Sequence, residues 1–481
     1  MTRLIVGPFN RVEGDLEVQL DIADGHVASA RVVAPMYRGF EQMLVGRDPM
    51  DALVIVPRIC GICSVSQSVA AARALASLAG VQPPANGRRA THLMLATENL
   101  ADHLSHFYLF FMPDFTRPCY AGRPWHAEAV RRFDPREGAH SRAATAARQR
   151  WFTLLGTLGG RWPHTHTVQP GGSARAIEPA ERLRLLGKIA EFRAFAEETI
   201  FGAPLDEVLA LPDEAALQAW CDHQDRGDLR FFLHIADDLQ LERLGPGPGL
   251  LMSYGAYPNG DGTHAFSQGL WRQATAAVEP LDPRGIVEDL THTRLAGPAL
   301  HPAEGQTHPD PDKPGAYTWN KAPRLRGEVV ETGAVARQTI DGQPLVRAAV
   351  ARSGTHVRTR VLARLIEIAR IVTLMPQWLA ALEADAPYHA EGALQDGAGM
   401  GLNEAARGAL GHWIDVRQGR IANWQIVAPT SWNFSPRDAV GTPGALEAAL
   451  VGAPVGDGEQ APVAVQHIVR SFDPCMVCTV H

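Results

Sequence analysis

The sequence predicts an α+β fold, predominantly helical, with small β elements near the N- and C-termini. Strict alternation at Leu16, Val18, Leu20 and Ile22, then an Ala-Asp-Gly turn, predicts antiparallel strands in the N-terminal part, about 1–35. Helix-forming composition and helical periodicity fill a core of about 50–200 and 358–400. Near the other end, GHWIDVRQGRIANWQIVAPT predicts a hairpin that turns at Gln418–Gly419.

The elements between follow in order. LIVGPFNRVEG reads as a strand, and Pro49 to Pro57 as a short helix. SVSQSVAAARALASLAGV is alanine-rich and stops on Gly80, which predicts a helix with a glycine C-terminus. Residues 87–112 predict a long buried helix closed by Pro113, and 178–202 an amphipathic one. The glycine- and proline-rich stretch of about 244–346 reads as a loop-rich insertion with scattered short strands, EGQTHPDPDKPGAYTW being extended loop. Residues 358–384 predict a further helix, kinked or broken at Pro376. No linker divides the chain, so 1–481 is expected to be one domain, with 404–481 as its C-terminal metal-site segment.

Composition excludes several classes. With 46% hydrophobic and 20% charged residues, the chain has ample material for a core. A formal net charge of −7 argues against nucleic acid as a partner. No apolar run approaches the roughly eighteen residues that span a bilayer. The opening MTRLIVGPFNRVEGD lacks a signal peptide's apolar stretch, which predicts a cytoplasmic protein unless a partner's signal exports it. Six cysteines are too sparse for a disulfide scaffold.

Four of those cysteines form two CxxC pairs at opposite ends of the chain, Cys60 with Cys63 and Cys475 with Cys478. Four thiolates suit zinc, nickel or an iron–sulfur cluster and disfavour magnesium or calcium. Spacing alone leaves a structural zinc site, two unrelated pairs and a catalytic metal all open. Cys119 and Cys221 read as isolated thiols, and His164 and His166 as part of a structural loop. His103, His106 and His412 read as buried histidines bonded to backbone carbonyls.

The residues around the pairs narrow the choice. RICGIC, DPCMVCTVH and RVEG, with YRGFEQMLVGRDP, HLSHFYLFFMPD, EAARGALGHW and APTSWN between them, together resemble the large subunit of [NiFe]-hydrogenases. The resemblance spans the whole chain. It implies that Cys60 and Cys475 are terminal nickel ligands and that Cys63 and Cys478 bridge nickel to an iron carrying CO and CN⁻, a Ni–Fe(CN)2(CO) centre that cleaves H2 heterolytically. Glu13 of RVEG matches the carboxylate that relays the proton from Cys475. Arg407, Thr430 and the adjacent Pro429 match positions lining the centre and its cyanides, and Asp114 and Asp473 match supporting carboxylates. His481, Glu41 and the carbonyl of Ile426 match the ligands of a Mg²⁺ or similar hard ion. No iron–sulfur signature remains unassigned, so an iron–sulfur small subunit is implied, in a hetero-oligomer with no membrane span of its own.

Three departures from the commonest pattern resemble the H2-sensing, regulatory branch. Gln67 stands where most members carry histidine, and on a helix i and i+4 share a face, so it should point back toward Cys63. Ala406 precedes Arg407 where many members have proline, and the sequence ends on the histidine. The resemblance implies slow turnover, a signal-transduction role and a histidine-kinase-type partner. An energy-conserving uptake hydrogenase is the second reading, and a structural zinc or scaffold protein the rival from another class.

Overall fold

The computed structural model describes residues 2–224 and 226–481. Helices account for 45% of the chain and strands for 19%, the α+β balance expected. Three N-terminal strands, β1 (Thr2–Val6), β2 (Glu17–Ala23) and β3 (His26–Val33), pair antiparallel in sequence order. Val18 faces Val6 on one side and Val32 on the other, so the alternating apolar residues bury one face of the sheet. Asp24 and Gly25 both take positive φ, as a tight hairpin turn requires.

After the short helix α1 (Phe40–Leu44) the chain makes a tight turn through Cys60 and Cys63 into α2 (Ser64–Ala79). Gly80 ends α2 in the left-handed region, as its sequence predicts. α3 (Ala85–Ser105) then crosses the interior, and all but its first turns are buried. It does not continue as an α-helix to Met112. From His106 to Phe111 the coil widens to a π-turn, which changes the phase of everything beyond it. A further helix, α4 (Ala139–Gly159), packs on α3, and α5 (Pro179–Phe195) packs on α4, ending in a second π-turn at Ala196–Phe201.

The stretch 244–346 is more ordered than its glycines and prolines predict. β4 (Leu250–Pro258) and β5 (His264–Arg272) are nine residues each and pair antiparallel. β4 is buried along nearly its whole length, so it lacks the alternation that marks a half-exposed strand. Two helices follow, α6 (Ala334–Asp341) and α7 (Pro344–Ser353). The next helix, α8 (Val357–Ala380), continues through Pro376 without breaking, with Val372, Met375 and Leu379 buried on both sides of it. The helical region ends at Ala380, and 397–405 is a strand.

That strand, β6 (Gly397–Ala405), joins β7 (Gly408–Arg417) and β8 (Arg420–Val427) in an antiparallel sheet. β7 and β8 form the expected hairpin, with Gln418 and Gly419 at positive φ. The sheet packs on α2. Beyond it lie the short helix α9 (Pro429–Asn433), α10 (Val463–Ser471) and the final segment, which belongs to the same hydrophobic cluster as β2 and α3. Among the described residues, no helix is long and apolar enough to cross a membrane.

Candidate metal centre

The C-terminal segment is tied into the interior rather than frayed. Glu13 and Cys475 form a parallel β-bridge, with Met476 N–H donating to the Glu13 carbonyl at 2.7 Å. Arg38 N–H donates to the Val480 carbonyl at 2.7 Å. Gly14 allows this approach: at φ +77°, a Cβ there would lie 2.9 Å from the Val477 nitrogen. The RVEG turn and the last nine residues therefore close on each other through backbone.

This closure brings together the four cysteines. Cys60 Sγ lies 3.4 Å from Cys475 Sγ, Cys63 Sγ lies 3.3 Å from Cys478 Sγ, and Cys475 and Cys478 are 3.0 Å apart. All four sulfurs fall within 4.8 Å of one another, and all four residues are buried. The separations exceed the roughly 2.05 Å of a disulfide, and the cysteines are free. Four buried thiols this close cannot all ionise without a cation. Mutual hydrogen bonding pulls Cys60 down and pushes Cys63 well up, while burial pushes Cys475 well up. The donor set fits a thiophilic metal centre, whose charge would let every sulfur be a thiolate.

One guanidinium organises the polar side. Arg407 donates from Nε to the Asp473 carbonyl at 3.0 Å, from one terminal nitrogen to Asp473 Oδ1 at 3.1 Å, and from the other to Asp102 Oδ2 at 2.5 Å. Asp473 adopts φ 58°, a left-handed conformation that turns the chain into Pro474 and Cys475. The Thr430 hydroxyl accepts the Cys475 N–H at 3.1 Å, and Pro429 opens α9, which fixes Thr430. Glu13 is half-buried, and burial followed by the nearby Cys60 raises its carboxyl above the ordinary value.

The second carboxylate on Arg407 is Asp102, which the motifs did not single out, and Asp114 has other partners. The Asp114 carboxylate is engaged by Arg470 at 2.7 Å and by Arg11, with His467 at 3.4 Å. Sequence reading missed Asp102, although a carboxylate in a helix expected to be buried was the available signal.

Gln67 sits one turn into α2, its N–H bonded to the Cys63 carbonyl at 3.0 Å. Its side-chain oxygen accepts from His412 Nε2 at 2.9 Å, while the amide nitrogen is buried without a partner. His412 therefore bonds a side chain, not a backbone carbonyl, and Trp424 donates to its other nitrogen at 3.3 Å. His103 likewise bonds Glu367 at 3.0 Å, whereas His106 meets the Arg470 carbonyl at 2.7 Å as expected.

His481 and Glu41 lie in a second polar cluster. Glu41 Oε1 accepts from Lys321 Nζ at 3.1 Å and from the amide of Ile426 at 2.8 Å, and Oε2 accepts from Thr307. The bond to Glu41 thus comes from the Ile426 nitrogen. Lys321 also reaches Glu288 at 3.3 Å and Gln425 at 2.7 Å. His481 is buried with Nε2 unpartnered, and burial with the charges of Lys321 and Arg38 lowers its pKa to about 3. A neutral imidazole with an unpartnered nitrogen is a metal-ligating donor.

Comparison with known proteins agrees with this geometry. The nickel-dependent hydrogenase family matches residues 38–124 and 139–481. The chain is 30% identical to the periplasmic [NiFeSe] hydrogenase large subunit of Desulfomicrobium baculatum, over 100% of this chain and 95% of that one. It is 28% identical to the hydrogenase-1 large chain of Escherichia coli K12, over 100% and 95%. Its fold superposes on the reduced, active Ni-Fe-Se hydrogenase of Desulfomicrobium baculatum with a TM-score of 0.87 at 27% identity, covering 100% of both chains. The chain is accordingly a large subunit of the nickel-dependent hydrogenase family, an oxidoreductase that acts on H2.

Proposed function

We propose that this chain is the H2-activating large subunit of a sensory [NiFe] hydrogenase. Cys60 and Cys475 would hold nickel, and Cys63 and Cys478 would help to hold the nickel and an iron carrying CO and CN⁻. When bound, such a centre polarises H2 for heterolytic cleavage and takes up its electrons. The chain supplies the rest. Cys475 Sγ accepts the proton and Glu13, bridged to Cys475 through backbone, passes it outward. Its raised pKa suits a group that must hold a proton briefly. Arg407, clamped between Asp102 and Asp473, presents a fixed cation to anionic ligands. Thr430 and Pro429 line the same side, and Glu41, His481 and the Ile426 carbonyl would hold the Mg²⁺.

The observation that carries the sensory assignment is Gln67. An amide there, locked to buried His412, removes a titratable group from the turn that follows Cys63. An iron–sulfur small subunit would take the electrons. Met36, Met43, Val45, Met50 and Val54, in the sequence before Cys60, are exposed apolar side chains that such a partner would cover. A cytoplasmic location and a histidine-kinase-type receiver complete this reading. Gln67→His tests it in the assembled hydrogenase. The sensory reading expects turnover and oxygen sensitivity to rise together, whereas unchanged values for both would return the chain to the uptake class, to which relatives such as the uptake hydrogenase large subunit of Rubrivivax gelatinosus belong by name.

A further inference from the structure

α3 brings another carboxylate toward the thiol cage, one turn before Asp102. Glu98 is buried, and five neutral donors converge on it. Its Oε2 accepts from Val65 N–H at 2.8 Å, Trp162 Nε1 at 3.0 Å and the Ser64 hydroxyl at 3.3 Å. Its Oε1 accepts from Ser66 N–H at 2.8 Å and the Ser66 hydroxyl at 3.0 Å. Every partner can donate, which suits an acceptor-only carboxylate.

These donors have a particular place in the fold. Val65 and Ser66 belong to the first turn of α2, whose N-cap is Cys63. The first N–H groups of a helix have no partner within it. Cys63 provides no side-chain cap, so those groups are closed from outside, by a residue of another helix. The loop at Trp162 joins the same knot, since His164 N–H reaches the Ser64 hydroxyl at 3.3 Å.

We propose that Glu98 is a positioning residue for H2 activation: it fixes the first turn of α2 and so sets the direction of the Cys63 sulfur and the Gln67 amide. The inference rests on Cys63 being a metal ligand. Glu98 itself touches no cysteine, so it acts through the Ser64–Ser66 backbone. Supporting residues of this kind typically govern a metal site by roughly 10- to 100-fold in activity.

The test is Glu98→Gln in the assembled hydrogenase, with three readouts. The amide turns a donor toward donors, so backbone hydrogen exchange across Ser64–Gln67 should quicken. The CO and CN⁻ stretching bands should shift at unchanged metal content, and turnover should fall roughly 10- to 100-fold. Trp162→Phe removes a single donor and should move the bands the same way by less. Wild-type bands and wild-type exchange in Glu98→Gln would overturn the proposal. If Glu98→Gln takes up no metal, Trp162→Phe decides alone, and unshifted bands there overturn it. Failure of the underlying reading looks different: the unsubstituted protein would then lack CO and CN⁻ bands altogether, while the exchange effect at Ser64–Gln67 persisted.

Discussion

The thiol cage and the Glu41–Lys321 cluster are both completed by the segment Asp473–His481, yet their charges are compensated in opposite ways. In the cage, four sulfurs crowd within 4.8 Å, and the nearest cation, Arg407, is already shared by two aspartates. In the cluster, a buried ammonium is built in, bonding Glu41, Glu288 and Gln425 at once. The cage therefore depends on its metals to become a set of thiolates. The cluster holds its shape through Lys321, with the His481 Nε2 and one Glu288 oxygen left unpartnered.

The comparison can be broken at several points. Cys475→Ser should have the largest effect, with nickel absent by elemental analysis and H2 activation lost, because one donor of the cage and the first proton acceptor vanish together. Glu13→Gln should keep both metals but lower H2/D2 exchange by about 10²- to 10⁴-fold, the range for loss of a positioned acid–base group. Because burial and Cys60 raise the Glu13 pKa, its proton is held to higher pH than on an ordinary carboxylate. The acid limb of the exchange profile should therefore lie above the usual carboxylate range and disappear in the variant.

Lys321→Met tests the other region. It strands Glu41 and Glu288 without their cation, at about 3–5 kcal/mol of stability by denaturant unfolding, unless a divalent ion is supplied. Added Mg²⁺ should recover part of that loss, and no recovery would count against an ion site at His481. Asp114→Asn probes neither region and should leave turnover per nickel unchanged. Burial opposes ionisation of Asp114, but His467, Arg470 and Arg11 prevail and hold its carboxyl below the usual range. A depressed carboxylate stabilises the fold above its unfolded value, near 3.9, and that stability is lost as pH falls through the folded value. The variant should thus be less stable at neutral pH, with a flatter acid limb.

Much of the cage was legible in the sequence, because its residues lie in turns and termini where motifs stand apart from core. Cys60, Cys63, Cys475, Cys478, Glu13, Arg407 and Asp473 were all named from their motifs, and the fold brings them to one place. Asp102 was not, because it lies inside a buried helix, where only the tertiary packing shows which partner a carboxylate meets. Lys321 and Glu98 escaped for a related reason. Each acts through partners far away in sequence, Lys321 through Glu41 and Glu98 through Ser64–Ser66 and Trp162. The region of β4 and β5 was read as loop-rich with scattered short strands, because burial along β4 erases its alternation and a glycine interrupts each strand.

The account stands most directly on what the four sulfurs hold. Elemental analysis of the purified chain with its partner, combined with infrared spectroscopy, measures this in one preparation. The account predicts equimolar nickel and iron, with stretching bands of bound CO and CN⁻ that vanish in Cys475→Ser. Zinc alone, with no such bands, would contradict it.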